Sequence, residues 1–126
     1  MASSKIQNRV VWGVRIVLAL AFLAAGAAKL SGAPMMVEVF DKIGIGQGFR
    51  FVVGAIELIG VGLLLAPRTG LAGALWLGGT MVGAVGTHLL LIGGSPAPAI
   101  VLGALCAFVA WRLWADQGAL IAPRGR

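Results

Sequence analysis

The sequence predicts an all-α membrane protein: a four-transmembrane-helix bundle with a short amphipathic interfacial helix between helices 1 and 2. Three observations carry this. The 126-residue chain is 60% apolar and only 11% charged, with a mean hydropathy of +1.00, whereas soluble domains lie nearer half apolar and a quarter charged. Its apolar residues gather into four long runs, and a helix needs about 20 such residues to cross the hydrocarbon core. Prolines fall at the ends of those runs, where the missing N–H is harmless, while glycines lie both inside and between them. Four crossings take up roughly 80 residues, so residues 1–126 are read as a single membrane domain.

Residues 1–9, MASSKIQNR, are polar and basic. The first span is expected at about 10–30 and carries Arg15 and Lys29. A basic start, an apolar stretch and small residues at Ala24 to Ala28 also fit a signal peptide. Arg15 interrupts that stretch, and a retained span is the reading taken. The interfacial helix is expected at about 34–43. Pro34 can open it, and Gly44 and Gly46 can close it. Met36, Val39, Phe40 and Ile43 share one face, with Glu38, Asp41 and Lys42 elsewhere. It is read as an ordered segment packed on the bundle; the functional alternative is a lid over an outward-facing cavity.

The second span, about 50–66, contains Glu57 and stops at Pro67. The third, about 70–92, carries Thr80, Thr87 and His88, with Gly79, Gly83 and Gly86, like Gly54 and Gly60 in the second, as small residues that permit close helix crossing. The fourth, about 97–115, starts between Pro96 and Pro98 and ends at Arg112 and Trp114. With Trp12 and Trp111, these terminal residues read as an aromatic belt with snorkelling arginines.

Ten Lys and Arg against four Asp and Glu give a net charge of +6. The basic residues lie mainly at segment ends, without a basic aromatic stripe. They therefore point to topology and the lipid bilayer rather than to nucleic acid. A start on the cytoplasmic side places Lys5, Arg9, Arg15, Arg68, Arg112, Arg124 and Arg126 there. It leaves Lys29, Lys42 and Arg50 opposite, so both termini are expected in the cytoplasm. Cys106 is the only cysteine and His88 the only histidine. An intrachain disulfide, a dithiol pair and bis-histidine haem ligation are thereby excluded, and no metal site or catalytic constellation is expected.

Ionisable groups inside the hydrocarbon are costly unless neutral or paired. Glu57, near the middle of its span, is therefore expected to face the bundle interior. Arg15 and Lys29 share a face of the first helix and are its candidate partners, one from each side in depth. His88 lies about one turn from the outer end of its span, where it can join them. Packing alone is an equally open explanation for His88, and an inert buried thiol is the plain reading of Cys106.

These residues resemble a known family. RIVLALAFLAAGAAKL (15–30), the outer segment VFDKIGIG, and GAIELIGVGLLLAPRTGLAGA (54–74) look like the DoxX family of small bacterial four-helix membrane proteins. The shared pattern is an Arg in helix 1, a small-residue turn ending in Lys, a mid-membrane Glu followed by glycines, and a short basic loop. His88 in helix 3 also fits. The resemblance spans roughly residues 10–115. It implies a multi-pass protein of the bacterial inner (cytoplasmic) membrane, linked to quinone-coupled oxidation or oxidative-stress complexes. It carries Arg15, Lys29, Glu57 and His88 over as ligand-binding or buried polar residues. Lacking a cysteine pair and cofactor ligands, the chain departs from a self-sufficient redox enzyme.

Three functions compete. The first is a subunit that binds a quinone or another lipophilic molecule for a membrane or soluble oxidoreductase partner. In it Glu57 exchanges a proton, His88 bonds a carbonyl oxygen and Arg15 holds the carboxylate in place. The second is a structural or assembly subunit. The third is a small proton-coupled transporter, which calls for a homo-oligomer.

Overall fold

The computed structural model describes residues 2–121. Five α-helices follow one another: α1 (Ala2–Ser31), α2 (Pro34–Ile43), α3 (Gly48–Leu65), α4 (Gly70–Thr87) and α5 (Ala97–Ile121). A π-helical turn, His88–Ile92, continues α4. No strand occurs among the described residues.

Four segments are long and apolar enough to cross a membrane: Lys5–Ser31, Gly48–Leu65, Gly70–Ile92 and Ala97–Asp116. Only 11–33% of each is buried within the protein. Large apolar side chains such as Leu20, Val82 and Leu90 instead point outward. A soluble bundle would hide these residues; a bilayer covers them. The protein is thus an all-α, multi-pass membrane bundle. Its first and last helices outrun the apolar spans, with α1 helical from Ala2 and α5 to Ile121. Hydropathy marks the membrane crossing, whereas backbone bonding continues into the polar flanks. Arg124 and Arg126 lie outside the described residues.

α2 occupies the expected segment. Pro34 sits in its first turn, and Gly44 closes it in the left-handed region at φ +88°, donating its N–H to Phe40 O at 3.3 Å. α1 packs on α3, α3 on α4, α4 on α5, and α5 returns to α1. Short connections leave consecutive spans antiparallel neighbours. The dry core lies where Leu18 and Phe22 of α1 meet Leu64 of α3, Leu77 of α4, and Cys106 and Val109 of α5. There α3 and α4 almost touch: a Cβ placed on Gly73 would lie 2.5 Å from the Leu64 nitrogen.

Candidate functional site

At the opposite end of the bundle, beneath α2, the helices leave a cavity of about 680 Å³. That is ample for a small organic ligand. Its walls are mostly apolar: Met36, Val39, Phe40 and Ile43 of α2, Val53 and Ile56 of α3, Met81 and Ala84 of α4, and Ala99 of α5. The apolar face of α2 thus turns into the cavity and roofs it. Met35, Met36 and Met81 all line the space, and their unbranched thioether chains make an adaptable wall.

Lys29, Glu57 and His88 also line the cavity. The first two meet because α1 and α3 cross closely. A Cβ on Gly26 would stand 3.1 Å from Gly54 O, and one on Gly54 would stand 3.1 Å from the Lys29 Cβ. Lys29 and Glu57 each follow their crossing glycine by three residues, so they emerge on the same side of the contact. The Lys29 Nζ lies 2.9 Å from Glu57 Oε1. Glu57 is 2% exposed, and Oε1 receives no aligned hydrogen bond among the described residues. The pair is therefore a close, buried charge contact, and breaking it would strand a charge.

His88 opens the π-helical turn, a widening often found at functional positions. Gly93 N–H donates to His88 O, and His88 Nδ1 lies 2.9 Å from Gly93 O. A carbonyl oxygen only accepts, so Nδ1 carries the proton. In the neutral ring Nε2 is then an acceptor, without a partner among the described residues. Thr80 and Thr87 donate their hydroxyls to the carbonyls of Trp76 and Gly83, at 2.9 and 2.8 Å.

Arg15 is not in the cavity. It is buried in the dry half of the bundle, with Nε and Nη2 donating to Leu64 O at 2.9 and 2.7 Å, and Nη2 to Ala66 O at 3.0 Å. Its guanidinium lies 3.8 Å over the Trp12 ring. It therefore caps the last carbonyls of α3, where the helix leaves acceptors unpaired and carries partial negative charge. The expectation that Arg15 holds Glu57 is corrected: Lys29 does. The carboxylate lies two turns back along α3 from Leu64, beyond the reach of a guanidinium already bound at the helix end. Arg112 at the end of the fourth span donates to Gln7 Oε1 at 2.8 Å, tying α5 to α1.

Arg50 is a buried group that hydropathy reads only as a flanking charge. It donates to Lys29 O and to Gln47 Oε1, the latter at 2.7 Å. Gln47 in turn donates to Val37 O at 3.0 Å and to Asp41 Oδ1 at 2.7 Å. This relay fastens α2 to the start of α3 and to the end of α1. The one available sequence signal was a glutamine and an arginine three residues apart at a helix start; their backbone partners have no sequence signature.

A multi-pass helical membrane protein with a roofed, largely apolar cavity and one buried ion pair is the class that fold and site define. The chain matches the DoxX-like family over residues 13–112. That is most of its length, and the chain belongs to this family. No curated relative and no solved structure matches it.

Proposed function

We propose that this protein is a membrane subunit that holds a lipophilic small molecule of quinone type beneath α2, in support of an oxidoreductase or oxidative-stress complex. One observation carries the reading. The Lys29–Glu57 pair and the only histidine of the chain stand in the wall of an otherwise apolar cavity of about 680 Å³. Apolar walls hold the ring and the first part of a tail; a few converging polar groups orient the head. Glu57 exchanges a proton with a ring oxygen, and Lys29 keeps its charge in place. Electrons pass between the ligand and a partner protein, because a lone buried Cys106 offers no dithiol of its own.

The distribution of Lys and Arg supports a bacterial inner-membrane location with both termini in the cytoplasm. The cavity and α2 then face the other side. Thermal unfolding with and without a short-tailed quinone, in its oxidised and its reduced form, tests the binding reading. Wild type gains stability with ligand, and Glu57→Gln loses that gain. No ligand-dependent shift in either protein leaves an assembly subunit, a role that the Arg15 cap of α3 favours.

A further inference from the structure

We infer that the cavity takes its ligand as a hydrogen-bond donor: a lipophilic phenol or hydroquinone, the reduced form, in preference to the carbonyl form. The inference rests on the cavity being a ligand site, and it comes from counting donors and acceptors on the wall. Thr80 and Thr87 have both committed their protons to backbone carbonyls of their own helix. His88 has committed the Nδ1 proton to Gly93 O, so Nε2 is the ring atom left to accept. Glu57, held against Lys29, accepts, and its two oxygens keep lone pairs beyond that contact. Four polar side chains of the wall thus present acceptors.

The donors are fewer. Ser95 accepts from Ala97 N–H at 3.2 Å and keeps its hydroxyl proton. The Lys29 ammonium is already drawn to Glu57 and has a side chain only 14% exposed. A ligand carbonyl placed against Glu57 or His88 would set acceptor against acceptor in a poorly solvated space. A hydroxyl there gives an acceptor a proton instead. Sites that are short of donors reject ligands lacking the proton far more strongly than apolar pockets reject a change of size.

Two matched pairs test this on the full chain in detergent. The first is decylubiquinone and its quinol, titrated anaerobically; the second is 4-nonylphenol and its methyl ether, which differ only in the O–H. Tryptophan fluorescence reads binding. The quinol and the phenol are expected to bind at least about tenfold tighter than their partners. For a two-electron couple, tenfold raises the bound midpoint potential by about 30 mV. His88→Phe keeps a planar ring without the acceptor, and Thr87→Val keeps the shape without the hydroxyl. Each should narrow the preference while leaving folding intact by circular dichroism. Equal affinities, or tighter binding of the quinone and the ether, overturn the donor preference and leave the ligand site standing. No binding of any of the four overturns both.

Discussion

The two ends of the bundle place buried charge in opposite settings. At the end where α3 meets α4, Arg15 makes three hydrogen bonds to backbone oxygens and lies over the Trp12 ring, in the half of the bundle that holds the dense core. At the end beneath α2, Lys29 and Glu57 hold each other, and open space adjoins them. A buried ion bonded to backbone carbonyls within dense packing reads as architecture. A buried ion pair beside a cavity reads as a site. Intramembrane charge alone does not distinguish the two; the packing density around it does.

The largest test of this contrast breaks the ion pair. Glu57→Ala leaves Lys29 unpaired and should cost about 3–5 kcal/mol. The double variant Lys29→Met, Glu57→Gln should recover most of it, as read by chemical unfolding in detergent. A single variant as stable as wild type would show that the pair is solvated and the site wet.

Arg15→Met comes next. Losing the cap of α3 should cost about 2–3 kcal/mol, the scale of hydrogen bonds from a charged donor. Ligand affinity of the folded fraction should stay unchanged. A matching fall in affinity would mean that the two ends act as one unit. Glycine substitutions sharpen the same comparison at smaller scale. Gly73→Ala drives a methyl into the Leu64 backbone and should cost about 1–3 kcal/mol. Gly79→Ala and Gly83→Ala enter open space and should stay within about 0.5 kcal/mol of wild type.

The smallest effect on stability is expected at the α2 fastening. Gln47→Ala removes the relay between Asp41, Val37 and Arg50 at the edge of the protein. Global stability should fall by about 1 kcal/mol or less. Amide exchange in α2 should nonetheless rise selectively, and ligand should leave faster. Unchanged exchange across 34–43 would show that the apolar face of α2 holds the roof by itself.

Much of this architecture was legible in the residues alone. Runs of apolar side chains about as long as the bilayer is thick leave few alternatives to spanning helices, since lipid satisfies no backbone polar group. Pro34 and Gly44 delimit α2 through their own backbone preferences, which act within a turn and need no tertiary partner. The same local logic turned Glu57 inward, because a short carboxylate in mid-span reaches no interface. What the residues left open was its partner. Arg15 and Lys29 lie on one face of α1 and differ only in depth. Choosing between them depends on the register of α1 against α3, which the Gly26–Gly54 crossing sets. Once that contact forms, Lys29 stands at Glu57, and Arg15 stands at the end of α3. Arg50 was legible only as charge, since its acceptor is the Lys29 carbonyl of another helix. The roofed cavity likewise exists only in three dimensions. Local sequence determines how each segment folds and which face it must bury; only the packing of the helices decides which buried groups meet and where space remains between them.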